Sequence, residues 1–196
     1  MNNYDKMLQA AAKRFVSYDP ATLAARTGVT VAGERLITCF LGACVEICPE
    51  TGKMTMDGEP AGFSASLAVY DWLCDGKPDA CAAGEFAPVT SLPGVYVSGS
   101  GLSMDYPALA RAIQKNPSGF ADACIKMGGK AVALGDLCFQ IPVFPNVDMQ
   151  LKFYYADEEF PPSLAFLWDK HMLRFVRYET VYYICGVLGD RLLKMI

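Results

Sequence analysis

The sequence predicts a single α+β domain, residues 1–196, in which helices cover an antiparallel sheet. Two alternating apolar runs, residues 149–155 and 164–168, predict a long β-hairpin within Val147–Asp169, because alternation with period two places every second side chain on one face of a strand. Short strand-like runs between residues 29 and 56 predict an antiparallel meander. Apolar residues at helical spacing near both ends of the chain supply the covering helices.

The N-terminal part contains two predicted helices. Apolar residues recur at helical spacing between Tyr4 and Tyr18, which indicates an amphipathic first helix. Asp19 and Pro20 predict the start of a short second helix, because Asp is a favoured N-cap and Pro suits the first helical position. Gly28 predicts the end of that helix, and strand character follows it.

The middle of the chain is less regular. Ser64 or Ser66 is predicted to cap a helix that ends at Gly76. Residues 77–101 are rich in Gly and Pro, so a lid or a lobe boundary is expected there. The short strands expected within this segment are Pro88–Ser91 and Val95–Val97.

The remaining elements lead to and follow the long hairpin. Helices are predicted at Tyr106–Lys115 and Ser118–Met127, and strands at 130–134 and 137–144. A last helix is predicted from Tyr178 to Lys194, with one apolar stripe that predicts deep packing or an interface. The stripe consists of Val181, Ile184, Cys185, Leu188 and Leu192.

The amino-acid composition limits the kinds of binding partner that are expected. With 53% apolar residues, 19% charged residues and a mean hydropathy of +0.21, the chain is more apolar than a typical soluble monomer. Part of that surplus is expected to face a partner chain, which predicts a homodimer or a protein partner. The 17 basic and 21 acidic residues give a net charge of −4, which argues against nucleic-acid binding.

The location of the protein follows from what the sequence lacks. The N-terminus has no apolar core after a basic start, so no secretory signal is predicted. The apolar stretches are too short to span a membrane, and we expect a cytoplasmic protein. Its eight cysteines are therefore expected to be mostly reduced thiols.

Several catalytic motifs are excluded. The chain has one histidine, His171, so a HExxH zinc site and a multi-histidine metal site are impossible. No phosphate loop of the Walker type is present. The glycine–serine run Ser98–Ser103 precedes a predicted helix and offers backbone N–H groups to an anion, although a flexible connection is the simpler interpretation.

The tip of the long hairpin is the first candidate ligand site. Asp157, Glu158 and Glu159 form the sharpest charge cluster in the chain, suited to a divalent cation or a basic partner. Adjacent carboxylates point in alternating directions in an extended chain, which favours the alternative that they are a solvated hairpin end that prevents aggregation.

The other end of the hairpin carries the candidate catalytic residues. Asp169 beside His171, the single histidine, is suited to orient a general base near neutral pH. The alternative is structural: Asp169 caps a short helical segment and His171 lies in its first turn. In a regular hairpin these residues lie roughly 30 Å from the acidic tip, so the two ends do not form one site.

The densest thiol cluster consists of Cys39, Cys44 and Cys48. As possible metal ligands, these cysteines are the weakest of the three candidate sites. Cys44 and Cys48 share a face of a strand but lie roughly 13 Å apart, too far to ligate one ion. A bend at Gly42 or Pro49 is required to bring these thiols together. Small buried thiols are the alternative interpretation.

The second half of the chain resembles the family of the domain of unknown function 3786, found mostly in anaerobic bacteria and archaea. The resemblance is carried by glycines and prolines between Gly128 and Pro145, by the run Asp157–Pro161, by Leu167–Asp169, and by Glu179–Leu188. It implies no known activity. Some members are joined to an iron–sulfur module like that of corrinoid proteins in anaerobic one-carbon metabolism, whose closely spaced cysteines are missing here.

Two functional hypotheses follow. The first is a non-catalytic cytoplasmic ligand-binding or protein-interaction domain, accessory to anaerobic metal-cofactor or one-carbon metabolism. The second is an enzyme that uses the acidic cluster with His171 or with a bound metal. The sequence identifies no cofactor.

Overall fold

The computed structural model describes residues 2–96 and 106–196. These residues form seven α-helices and two five-stranded antiparallel sheets, which confirms the predicted α+β class. The two strand regions were expected in one sheet but form two, because no strand of the first region pairs along its edge with a strand of the second. Among these residues, no helix is both long and apolar enough to cross a membrane.

The first two helices begin and end at local signals. Helix α1, Asn3–Val16, is capped by Asn2, whose side chain accepts a hydrogen bond from the N–H of Asp5. Helix α2 is Pro20–Thr27, with the Asp19 side chain bonded to the N–H of Thr22. Gly28 ends α2 with a φ of 77°, a conformation that favours glycine, so the predicted start and stop are confirmed.

The first sheet is a meander in which each strand pairs with the next along the chain. Alternate residues of its second strand face the core, so Leu36 and Phe40 are buried while Cys39 is exposed. The five strands are β1 (Thr30–Ala32), β2 (Arg35–Phe40), β3 (Ala43–Ile47), β4 (Met54–Met56) and β5 (Glu59–Pro60).

The turn between β2 and β3 connects the two sheets. Leu41 and Gly42 both have positive φ, as a tight two-residue hairpin turn requires. Leu41 is fully buried, and its N–H donates a 3.1 Å hydrogen bond to the carbonyl of Val143 in the second sheet. A Cβ on Gly42 would lie 2.5 Å from Cα of Met127, so only glycine fits there.

Helix α3, Phe63–Asp75, is buried along most of its length and ends at Gly76 as predicted. Its N-terminus differs from the prediction, because Gly62 occupies the capping position and no side chain caps it. Ser66 lies inside the helix, where its hydroxyl bonds to the carbonyl of Ala61 at 3.3 Å. The burial of α3 compensates for the missing cap.

The segment after α3 is attached to the second sheet. Strand β6, Phe86–Pro88, pairs with the last strand of that sheet, and a 3₁₀ turn follows at Val89–Ser91, where a strand was expected. The N–H of Lys77 bonds to the carbonyl of Arg174, which holds the start of the segment. Residues 97–101 lie outside the described residues, and a lid or lobe boundary in 77–101 stays a prediction.

The second sheet contains the long hairpin. Its strand order is β6-β10-β9-β8-β7, and the register from Ser163 opposite Tyr154 to Trp168 opposite Met149 confirms the hairpin. Phe153 and Tyr155 share a face by the period-two alternation, but Phe153 is fully buried, whereas Tyr155 follows the strand end and is exposed. The strands after β6 are β7 (Lys130–Ala131), β8 (Leu137–Phe144), β9 (Val147–Tyr154) and β10 (Ser163–Asp169).

Helices cover both sheets. Helix α7 packs against α3 and buries the whole predicted stripe. The stacked rings of Phe40, Phe144 and Trp72 join the first sheet, the second sheet and α3 at centroid distances of 4.9 and 4.5 Å. The helices between α3 and the C-terminus are α4 (Pro107–Lys115), α5 (Pro117–Lys126), α6 (Met172–Phe175) and α7 (Tyr178–Met195).

Candidate functional site

Asp157 organises the tip between β9 and β10. Its Oδ1 accepts hydrogen bonds from the N–H of Glu159 at 2.9 Å and of Phe160 at 2.7 Å. These two bonds favour the carboxylate and lower the pKa of Asp157. Asp157 therefore shapes the turn, while Glu158 and Glu159 are exposed beside it.

Large exposed aromatic side chains lie on either side of these three acidic residues in the chain. Phe160 is 65% exposed, Tyr154 43% and Tyr155 39%. They line a cavity of about 550 Å³ together with Asp157 and Pro161. We call Tyr154, Tyr155, Asp157, Glu158, Glu159 and Phe160 the acidic–aromatic tip.

Two further contacts fix the acidic–aromatic tip to the domain. Oδ2 of Asp136 accepts a 2.7 Å hydrogen bond from the N–H of Tyr155. The side-chain carbonyl of Gln114, on α4, accepts a 3.1 Å bond from the N–H of Ala156. The tip is therefore held by the β7–β8 connection and by a helix as well as by its own strands.

The aromatic part of the tip was missed in the sequence analysis, which treated only the carboxylates as candidate ligands. The position of these aromatic residues could have indicated their exposure, because Tyr155 and Phe160 lie beyond the last paired residues of the hairpin, Tyr154 and Ser163. An aromatic residue outside a paired strand has no sheet neighbour to cover it. Its ring is therefore exposed unless another element packs on it.

Asp169 is 1% exposed and is surrounded by backbone donors. Its carboxylate accepts hydrogen bonds of 2.9 Å from the N–H of Ala83, 2.8 Å from that of Gly84 and 2.8 Å from that of His171. It thereby ties the loop before β6 to the end of β10. These contacts give Asp169 a structural role, but not the helix cap expected as the alternative, because His171 occupies the capping position of α6 and no side chain in the described part of the chain caps that helix.

His171 is half-buried next to Asp169, but the carboxylate bonds to its backbone and not to its ring. The imidazole Nδ1 lies 2.9 Å from the carbonyl oxygen of Cys81. Because a carbonyl only accepts, Nδ1 is the donor and carries a proton. The ring is thus oriented by the backbone of the loop before β6.

The acidic–aromatic tip and His171 lie at opposite ends of β10. Residues 157–160 precede Ser163, the first residue of the strand, and His171 follows Asp169, the last. A strand of this length spans about 20 Å. The structure therefore does not bring the acidic cluster and His171 into one site.

The cysteines differ in exposure: three are exposed, Cys48 is half-buried and the other four are buried. Cys39 and Cys44 are exposed and lie directly opposite each other on β2 and β3, while Cys48 follows the far end of β3. Burial raises the pKa of the Cys74 thiol to about 11 and that of Cys124 to about 12, which makes these thiols unreactive. Nowhere in residues 2–96 and 106–196 do three or more His, Cys, Asp or Glu side chains converge as a metal site would require.

A second cavity, of about 410 Å³, lies between α1, α3 and α7. Arg14 at its wall bonds to Asp71 at 2.8 Å and to Asp75 at 2.8 Å. The Thr180 hydroxyl donates to Asp71 at 2.6 Å, and Arg177 bonds to Asp75 at 2.7 Å. These charged groups pair with one another, with Nε of Arg14 left without a partner among the described residues, and the network holds the three helices together.

The pKa of Arg14 reflects this network. Burial alone would lower the pKa, but the hydrogen bond to Asp71 and the charge of Asp75 outweigh that effect and raise it. The guanidinium therefore stays charged. No sequence motif connects these residues, and the sequence analysis named none of them as a site.

The glycine–serine run Ser98–Ser103, considered for anion binding, lies outside the described residues.

Searches of curated proteins and of solved structures found no match for the chain. The model of the family called domain of unknown function (DUF3786) matches residues 19–191, which include both sheets and the acidic–aromatic tip. The chain therefore belongs to the DUF3786 family.

Proposed function

We propose that this chain is a non-catalytic protein-interaction domain whose acidic–aromatic tip binds a lysine- or arginine-bearing segment of a partner protein. The observation that carries the proposal is Phe160, which is 65% exposed and lies directly after three carboxylates. Exposed aromatic groups beside a polar rim are typical of binding surfaces.

The chemistry of the tip suits a basic segment. Carboxylates attract lysine and arginine side chains, and aromatic rings accept the same cations over their faces. A contact of this kind is already present at the tip, since Nζ of Lys152 lies 4.7 Å from the centroid of the Tyr154 ring. A partner's cation has Glu158 and Glu159 as ion-pair partners and Tyr155 or Phe160 as a ring partner.

The energies favour a combined site over a purely ionic one. An exposed ion pair contributes only about 0.2–1 kcal/mol, because solvent and salt screen it. Aromatic anchors at interfaces contribute more, often above about 1 kcal/mol each. Phe160 is therefore expected to provide most of the affinity, and the glutamates to provide the preference for basic partners.

The fixed conformation of the tip supports the same proposal. Asp157 closes the turn, and Asp136 and Gln114 hold the backbone on either side of it. A surface that is already ordered loses less conformational entropy on binding. Binding to this tip therefore has a smaller entropic cost than binding to a flexible loop.

The proposal also includes the cellular role in which the partner is bound. Following the family resemblance, we propose a cytoplasmic accessory role in anaerobic metal-cofactor or one-carbon metabolism. The predicted homodimer is proposed to use another surface, because two acidic–aromatic tips would repel each other through Glu158 and Glu159.

The proposal is tested with a synthetic lysine- and arginine-rich peptide and the isotope-labelled full chain. We expect the backbone amides of residues 154–160 to shift on titration, and a matched peptide with glutamate at every basic position to cause no shift. The double change Glu158→Gln and Glu159→Gln should weaken binding about two- to tenfold. The control Glu59→Gln, at an exposed position in β5, should leave it unchanged.

Two results would refute the proposal. In the first, the basic peptide shifts no amide within residues 154–160. In the second, the acidic peptide binds the tip as well as the basic one, which would remove the role of charge.

A further inference from the structure

Cys39 and Cys44 face each other across the β2–β3 hairpin. The register places them directly opposite, one pair away from the turn formed by Leu41 and Gly42. Side chains at opposite positions of antiparallel strands lie on the same face of the sheet. Both residues are exposed, on the face opposite to the buried Phe40.

The backbone hydrogen bonds show which kind of pair this is. The N–H of Cys44 donates to Oδ1 of Asp57 at 2.9 Å, and its carbonyl accepts from the N–H of Asp57 at 2.8 Å. Both polar groups of Cys44 thus point away from Cys39. Cys39 and Cys44 form a non-hydrogen-bonded pair, in which the Cα atoms approach to about 4.5 Å.

That separation matches a disulfide bond. Bridged cysteines have Cα atoms about 4.4–6.8 Å apart and Cβ atoms about 3.5–4.5 Å apart. Cβ atoms of directly opposite residues lie about 4.5–5.5 Å apart, so the hairpin needs a closure of about 1 Å or less. Such a bond is exposed and somewhat strained, and both properties make it easy to reduce.

The surroundings allow a small reagent to reach the pair. Cys39 and Cys44 line a shallow depression of about 430 Å³ whose other walls include Thr30, Ile37 and Pro145. Buried thiols such as Cys124 are shielded from any reagent of this kind.

We propose that Cys39 and Cys44 form a reversible dithiol–disulfide site that exchanges with low-molecular-weight disulfides. One thiolate attacks the small disulfide, whose S–S bond breaks to give a mixed disulfide and one small thiol. The second thiolate attacks the mixed disulfide and releases the other small thiol. The pair loses two electrons and two protons, and the small disulfide gains both as it becomes two thiols.

The test uses the reduced full chain in buffers of reduced and oxidised glutathione, followed by alkylation and peptide mapping by mass spectrometry. We expect one internal Cys39–Cys44 disulfide, with a mass lower by two hydrogen atoms, that a reductant reverses. In Cys39→Ser the exchange stops halfway, so Cys44 retains glutathione. Cys48→Ser and Cys81→Ser are the controls and should still form the bond.

Two results would overturn the proposal. In the first, Cys39 and Cys44 each carry glutathione with no bond between them. In the second, both remain thiols in a buffer that modifies the exposed Cys81. Because Cys39 is exposed, Cys39→Ser is expected to fold, which circular dichroism checks.

Discussion

The carboxylate of Asp157 accepts a 2.7 Å hydrogen bond from the backbone N–H of Phe160, and the N–H of Asp157 donates a 3.0 Å bond to the carbonyl of Phe160. This reciprocal pair closes the tip of the long hairpin and holds Phe160 with its ring exposed. The arrangement connects the acidic residues singled out by the sequence to the aromatic surface found in the structure.

The lowered pKa of Asp157 predicts how the tip responds to pH. A carboxyl with a lowered pKa in the folded state stabilises that state above its unfolded pKa, and this contribution is lost as the pH falls through the folded pKa. We expect the part of the Glu159 and Phe160 amide shifts that depends on Asp157 to be unchanged at pH values near about 4, the ordinary range for Asp, and to change only at lower pH.

An NMR pH titration checks this expectation, with Asp157→Asn as the matched variant. The asparagine side chain keeps an accepting oxygen but does not titrate. In this variant, the chemical shifts of the tip amides should therefore show no pH-dependent change that comes from residue 157. A wild-type midpoint at or above the ordinary value for Asp would contradict the role of Asp157.

Gly42→Ala is predicted to destabilise the fold. The added Cβ would lie 2.5 Å from Cα of Met127, and the backbone φ is +74°. We expect the free energy of unfolding to fall by about 2–4 kcal/mol, from backbone strain and overpacking together. Chemical denaturation measures this change.

Gly33→Ala is the control for Gly42→Ala. Gly33 also has a positive φ, +57°, but a Cβ there meets no atom within 4 Å. Only the backbone cost of about 1–2 kcal/mol should remain. Equal effects of the two substitutions would show that the contact with Met127 is not tight.

Asp71→Ala is predicted to loosen the three-helix network. The Asp71 carboxylate accepts from Nη2 of Arg14 and from the buried Thr180 hydroxyl, and its loss removes the acceptor of both groups, although Arg14 keeps its ion pair with Asp75. We expect a loss of about 2–4 kcal/mol in the free energy of unfolding. Asp79→Ala, which removes the exposed ion pair with Arg174, should have a much smaller effect in the same denaturation experiment.

Asp169→Ala is predicted to release the loop before β6. The backbone N–H groups of Ala83 and Gly84 lose their acceptor, so their amide hydrogens should exchange much faster than in the wild type. Hydrogen-exchange mass spectrometry checks this prediction. Unchanged exchange at residues 83 and 84 would mean that Asp169 does not hold the loop.

The local elements could be predicted from the sequence because their signals are local. Asp19, Pro20 and Gly28 set the start and end of α2, and period-two alternation identified the hairpin of β9 and β10. The α3 cap was predicted wrongly, because neither Ser64 nor Ser66 caps the helix. Tertiary burial held that helix in place without a capping side chain.

The contacts between elements could not be predicted from the sequence. Leu41 has the left-handed conformation that the turn requires, and its burial and its hydrogen bond to Val143 in the second sheet compensate for that strain. The ion pair of Arg14 and Asp71 joins residues far apart in the chain without a motif. For the thiols, the sequence indicated that a bend at Gly42 or Pro49 is needed, but not the register that pairs Cys39 with Cys44.

The most direct test of the proposed function is the affinity of the lysine- and arginine-rich peptide for Phe160→Ala, measured by titration calorimetry. Loss of an aromatic anchor should raise Kd about tenfold, while Ile125→Ala should not change it. Ile125 is a matched control, because it is 59% exposed and lies on α5 outside the acidic–aromatic tip. The same Kd for the wild type and Phe160→Ala would contradict the assignment of the tip as the binding site.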